Sequence, residues 1–142
     1  MRSELIKEVL DPLAESRRYV DNARQTLKQN GQLNIESRRY DDAKYVKAAG
    51  NYLWLAVLMA LDAVFHVKKN KASKRVDVDD YKNAVAQRDK KLSDWVNDAY
   101  NVLHLYMNYD GVQSKVIIDE GFRLANDIIE RCATMLPVGG ER

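Results

Sequence analysis

The stretch Leu53-Trp54-Leu55-Ala56-Val57-Leu58-Met59-Ala60-Leu61-Asp62-Ala63-Val64-Phe65-His66-Val67 decides the fold. Only Asp62 and His66 interrupt it. A surface helix shows one apolar stripe, and this run is apolar nearly all round, so it reads as the most buried helix of a helical core. It is shorter than the roughly 20 apolar residues a membrane crossing needs. Outward from it, Asp41 and Asp42 suit a positive helix N-terminus, and Lys68 and Lys69 suit a negative C-terminus. The spacing predicts a helix over 41–69. Ala48-Ala49-Gly50 lies early in it. Glycine there costs about 1 kcal/mol relative to alanine, which predicts a close helix crossing. Tyr45 and Tyr52 share a face and, with Trp54, are expected to fill the core rather than line a groove.

Three further stretches have helical spacing. The first covers 3–29, with Asp11-Pro12 as an internal start signal that sets residues 3–10 apart as a short N-terminal helical extension. Leu13, Val20, Ala23 and Leu27 form its stripe, and Asn30-Gly31 ends it. Another begins near Asp77 and carries Tyr81, Val85, Leu92, Trp95, Ala99, Val102 and Tyr106 at helical intervals. The last follows the turn pair Asp110-Gly111 and runs over 112–135. Ile117, Leu124, Ile128 and Met135 form one row, with Ile118, Ala125, Ile129 and Cys132 beside it. Pro137 and Gly139-Gly140 end regular structure, so 136–142 is expected to be a flexible tail. The expected fold is all-α: one domain over 1–142, an antiparallel up-down-up-down four-helix bundle with about 70% helix and no sheet. Leu55, Leu58, Leu61, Trp95, Leu103, Leu124 and Ile128 are its expected core. One pentapeptide recurs: Glu15-Ser16-Arg17-Arg18-Tyr19 and Glu36-Ser37-Arg38-Arg39-Tyr40. The match extends no further than a following Asp and reads as coincidence of composition.

Composition agrees. The chain has 142 residues, 46% of them hydrophobic, which is ordinary for one globular domain. Its 23 Lys/Arg and 21 Asp/Glu leave a net charge of +2, so no strong field points to nucleic acid or an anionic membrane. Six Gly and two Pro supply little turn chemistry for a many-stranded fold. The single Cys132 excludes an intramolecular disulfide and a cysteine-cluster metal site. The N-terminus, Met1-Arg2-Ser3-Glu4-Leu5-Ile6-Lys7-Glu8, lacks the continuous apolar core of a signal peptide. A cytoplasmic protein is expected.

Two constellations carry chemistry. Asp62 and His66, four apart, share a helix face, and a carboxylate that orients an imidazole is a general-base arrangement. No nucleophile flanks them, so a hydrogen-bonded polar pair at the core is preferred. Lys68, Lys69, Lys71, Lys74 and Arg75 form a basic run that is a candidate phosphate site. No aromatic residues interleave with it, and a solvated loop is preferred. His104 falls at the core edge or in solvent. No catalytic residue, metal ligand set or cofactor is assigned.

The segment Tyr40-Asp41-Asp42-Ala43-Lys44-Tyr45-Val46-Lys47-Ala48-Ala49-Gly50, with Trp54-Leu55-Ala56-Val57-Leu58 and Ala60-Leu61-Asp62-Ala63, resembles a family of small uncharacterised helical proteins, chiefly from Bacteroidetes, classed as a domain of unknown function. More distantly, the layout is similar to HEPN domains, four-helix bundles that bind nucleotides or cleave RNA and often dimerise. The ribonuclease members carry an Arg a short distance before a His. The corresponding positions here are Ala99, Asp98 and Asn97 before His104, and Leu61, Ala60 and Met59 before His66. The catalytic motif is absent, and the resemblance implies at most noncatalytic nucleotide or RNA binding.

The resulting expectation is a non-enzymatic interaction protein, a homodimer with an unknown protein partner and no membrane contact; nucleic acid is the disfavoured alternative. Helix 112–135 is apolar around more than one stripe, so Tyr106, Met107, Ile118, Phe122 and Ile129 are the expected interface.

Overall fold

The computed structural model describes residues 11–68 and 76–136. Helix accounts for 76% of the described residues. The expected extension at 3–10, most of the basic run and the tail beyond Leu136 lie outside the described residues.

Helix α1 spans Ala14–Thr26 and follows a turn in which the Asp11 carboxylate accepts from the Leu13 N–H at 3.0 Å. Val20 and Ala23 on α1, with Leu13 before it and Leu27 after it, face the core, as their spacing predicts. The chain leaves α1 through a π turn, Leu27–Gly31, and enters a hairpin of β1 (Leu33–Asn34) and β2 (Arg39–Tyr40). The strands are antiparallel, with Leu33 opposite Tyr40. Arg38 adopts a positive φ of 57°, and Asn34 Oδ1 accepts from the Ser37 N–H to close the turn. The expectation of no sheet is therefore corrected: strands of two residues are too short to show alternation in a sequence.

Helix α2, Ala43–Phe65, is the apolar helix read from the sequence. Asp42 caps it by accepting from the Lys44 N–H at 3.0 Å. It stops at Phe65 rather than Lys69 because His66 turns left-handed, with φ 49°, and its N–H returns to the Asp62 carbonyl. By length and composition alone α2 could cross a membrane, but half of its most apolar window is buried by other elements. Helix α1, the last helix and the 100–109 segment all pack on it.

The long helix expected from Asp77 is composite. Helix α3, Val78–Ala86, starts at a capping box formed by Asp77 and Asp80. A break at 87–89 precedes α4, Lys90–Ala99. Asp89 makes the break: one carboxylate oxygen caps α4 at the Leu92 N–H (3.0 Å), and the other takes Arg131 Nε at 2.8 Å. Helix α4 runs directly into ten residues of π-helix, Tyr100–Tyr109. Wider turns of this kind are unusual at such length. Here they fit between two glycines. A Cβ on Gly50 of α2 would lie 2.5 Å from the Asn108 nitrogen, and one on Gly121 would lie 2.7 Å from Met107 Sδ. The close crossing expected at Gly50 is thus made with the π segment.

Gly111, at φ 66°, turns the chain into α5, Lys115–Met135. The hairpin is fastened to this turn. Tyr40 donates its N–H to the Gln113 carbonyl at 2.9 Å, Gln113 Nε2 donates to the Tyr40 carbonyl at 2.8 Å, and Arg39 bridges to Ser114.

Burial corrects two sets of expectations. Leu61, Leu103, Leu124 and Ile128 are in the core, whereas Leu55, Leu58 and Trp95 are only half-buried. Of the expected dimer surface, Met107, Ile118 and Ile129 are fully buried, Phe122 is half-buried and Tyr106 is exposed. Helix α5 buries the whole second row and Leu124 and Ile128 of the first, leaving Ile117 and Met135 half-buried, because α2, α4 and the π segment together cover a broader face than one neighbouring helix would. The second stripe is core, and the argument for pairing through it falls.

Candidate functional site

A cleft of about 410 Å³ opens between the middle of α2, the start of α3 and the π segment. That volume is within the roughly 300–1,000 Å³ typical of small-molecule sites. The π segment contributes Tyr100, His104 and Asn108, spaced four residues apart and so carried along one side. Helix α2 contributes Asn51 and Trp54, with Leu55 and Leu58 completing an apolar side. Asp77 and Tyr81 close it from the start of α3.

Three rings form its wall. Trp54, buried to 6% exposure, stacks with His104 at 5.7 Å between centroids and 29° between planes. Tyr100 meets Trp54 edge-on at 5.8 Å and lies 5.4 Å from His104. Lys82 Nζ sits 4.4 Å from the centre of the Tyr100 ring, a favourable cation–π distance. The His104 Nδ1 is buried and has no hydrogen-bond partner among the described residues. An unmet buried polar atom costs about 1–3 kcal/mol, and such groups in native structures call for a reason.

At the edge of the cleft, the Tyr81 hydroxyl donates to Asp62 Oδ2 at 3.0 Å. Burial raises the Asp62 carboxyl above its ordinary value, opposed by the Tyr81 hydrogen bond and the nearby His66. Burial, then the Asp62 charge, raises the Tyr81 phenol. This corrects the expected Asp62–His66 pair: the carboxylate goes to Tyr81, and His66 is taken up as the left-handed cap of α2; both residues are exposed as a whole, and it is only the end of the Asp62 side chain, against Tyr81, that is partly withdrawn from water. Lys68 is exposed; Lys69, Lys71, Lys74 and Arg75 lie outside the described residues. Cys132 is sealed in the core, and burial, reinforced by Asp89, pushes its thiol up to about 12.

The lining can stack a flat group, hydrogen-bond it through two amides and an imidazole, and cover an apolar part. Among the described lining residues there is no Ser, Thr, Cys or Lys to act as a nucleophile beside His104. Among the described residues, no group of three His, Cys, Asp or Glu side chains stands ready for a metal ion. Sequence reasoning named Trp54 and His104 singly but missed their meeting. The four-residue spacing of Tyr100, His104 and Asn108 was the available signal. The part played by 77–81 had none, because a tertiary turn brings it there.

The fold and cleft define a small helical domain with an aromatic-walled crevice. The chain belongs to the family described as Domain of unknown function (DUF5618), which matches residues 11–134. It is also similar to a protein of unknown function from the Bacteroidetes bacterium Dyadobacter fermentans, with 37% identity and a TM-score of 0.78, over 89% of this chain and 96% of that one. Neither match is to a HEPN domain. No curated protein matches the chain.

Proposed function

We propose that this protein is a non-enzymatic, cytoplasmic binding domain, its helices in up-down-up-down order, whose ligand is a small planar molecule held in the cleft between α2, α3 and the π segment. The observation that carries the reading is the convergence of Trp54, Tyr100 and His104 on one cavity, with a ring nitrogen left unmet. Contact with the half-buried Tyr100 and His104 rings and hydrogen bonds to Asn51 and Asn108 would favour a neutral aromatic amide or lactam. A nucleotide suits this lining less well. Its phosphates would meet the Asp77 carboxylate, and among the described residues no Lys or Arg lines the cleft. Salt-dependent retention on an immobilised polyanion would favour that alternative.

The test is a titration of the isotopically labelled chain with nicotinamide and benzamide as probes, followed by amide and side-chain NMR shifts. Perturbations should cluster at Asn51, Trp54, Tyr100, His104 and Asn108, and Asn108→Ala should weaken them. Shifts confined to other surfaces, or none at millimolar probe, reject the reading.

A further inference from the structure

A second cleft, of about 460 Å³, shares no lining residue with the first. It lies where the end of α1, the hairpin and the first turns of α5 meet. Its floor is apolar: Leu27 is buried, Phe122 and Tyr40 are half-buried, and Leu33 lies at its edge. The shape is built rather than incidental. The Tyr40 ring rests on Gly31, where a Cβ would come within 2.8 Å of Tyr40 Cδ1, and Gln113 pins the Tyr40 backbone from the other side.

Two cations line the same cleft. The Arg24 guanidinium sits 5.3 Å from the centre of the Phe122 ring. Its only ion pair among the described residues is with Asp21 at 3.1 Å, and that carboxylate is 72% exposed. Such a contact contributes little and is readily exchanged. Lys28 makes no ion pair among the described residues. The one acid in the lining, Asp119, is engaged by Lys115. After these offsets the cleft carries an excess of about one positive charge over a hydrocarbon floor. Burial, then the Asp119 charge, raises the Tyr40 phenol, so its hydroxyl remains a donor at neutral pH.

We propose that this cleft binds a medium-chain alkyl carboxylate, its chain on Leu27, Leu33 and Phe122 and its head group between Arg24, Lys28 and the Tyr40 hydroxyl. A single negative charge matches the excess left by the offsets, whereas a polyanion would exceed it. An apolar floor beside a bidentate donor is the arrangement that separates a carboxylate from a neutral amphiphile.

Isothermal titration of the full chain with octanoate tests the proposal, with 1-octanol as the uncharged probe. Octanoate should bind saturably at one site, and 1-octanol should bind at least tenfold more weakly. Arg24→Gln and Lys28→Gln change exposed side chains, so circular dichroism should show an unaltered fold. Each should weaken octanoate about tenfold, as loss of a charge-assisted hydrogen bond does, and raising the salt concentration should reproduce part of the loss. Lys91→Gln, at an exposed cation of α4 that lines neither cleft, should leave octanoate affinity unchanged. Absence of saturable octanoate binding overturns the proposal. So does equal affinity for 1-octanol, indifference to both Gln substitutions, or an equal loss in Lys91→Gln.

Discussion

Gly50 and Gly121 both lie against the π segment, yet they meet different kinds of atom. At Gly50 a Cβ would strike backbone and the root of a side chain: the Asn108 nitrogen at 2.5 Å, Met107 Cβ at 2.6 Å and the Leu103 carbonyl oxygen at 2.9 Å. None can move without shifting a helix. Gly50→Ala should destabilise the protein by about 1–3 kcal/mol, outweighing the gain in helix propensity. At Gly121 the nearest atoms are Met107 Sδ and Leu103 Cδ2, ends of side chains that can turn aside. Gly121→Ala should therefore cost clearly less, and urea midpoints of the two variants should show that order. Charge at single residues gives a second expectation. The Arg131 guanidinium, then the Leu92 N–H, hold the Asp89 carboxyl below its ordinary 3.8, so the stability it supplies is present above that value and lost as pH falls through the depressed one. The Asp62 carboxyl is raised, so its ionisation removes stability as pH rises from 3.8 through the raised value. Asp89→Asn, which keeps an N-capping side chain, should lower the urea midpoint at pH 6, and by progressively less as the pH is taken down below 3.8. Asp62→Asn should move the pH 6 midpoint up or leave it in place. A reversed order of the two variants at pH 6 would contradict both assignments.

Among elements, the repeated pentapeptide is instructive. Glu15-Ser16-Arg17-Arg18-Tyr19 is helical in α1, with Ser16 fully buried and Tyr19 edge-on to Tyr52 at 5.9 Å. Glu36-Ser37-Arg38-Arg39-Tyr40 forms the hairpin turn and β2, and its first four residues are exposed. Identical local propensity is overridden by what each copy can bury and bond, so the hairpin could not be read locally. Its partners are Gln113 and Ser114, more than seventy residues away in sequence for Tyr40 and Gln113. Helices α1, α2 and α5 were legible because their apolar periodicity is long and their ends carry caps. The break at 87–89 was missed because periodicity continues across it, although Asp89 is a good N-cap in retrospect. The attachment of the hairpin can be tested apart from global stability. Gln113→Ala removes side-chain donors to the Tyr40 and Asp41 carbonyls. Amide exchange over 39–41 should accelerate while the thermal midpoint moves by no more than a few degrees. Equal acceleration throughout α2 would show that the hairpin is part of the cooperative core.

At the scale of the whole molecule, the sequence showed a helical core with α2 at its centre but misjudged how far that core reaches. Two apolar rows on α5 looked like one row too many for a single domain. Helix α4 and the widened π segment enlarge the concave side that receives α5, and Ile118, Leu124, Ile128, Ile129 and Cys132 all enter it. The same π segment sets Tyr100, His104 and Asn108 against Trp54, so the cleft is a consequence of the element whose path periodicity could not reveal. This packing separates two outcomes for Ile129→Glu. If Ile129 were an interface residue, the substitution would leave each chain folded and only reduce the mass measured by light scattering. Ile129 is 1% exposed within a single chain, and an unpaired carboxylate placed there meets a large desolvation cost. The variant should therefore unfold or lose at least about 3 kcal/mol of stability, judged by far-ultraviolet circular dichroism in urea. The loss should be independent of protein concentration, because the contacts that bury Ile129 lie within one chain. A folded variant of unchanged midpoint and halved mass would return Ile129 to an interface.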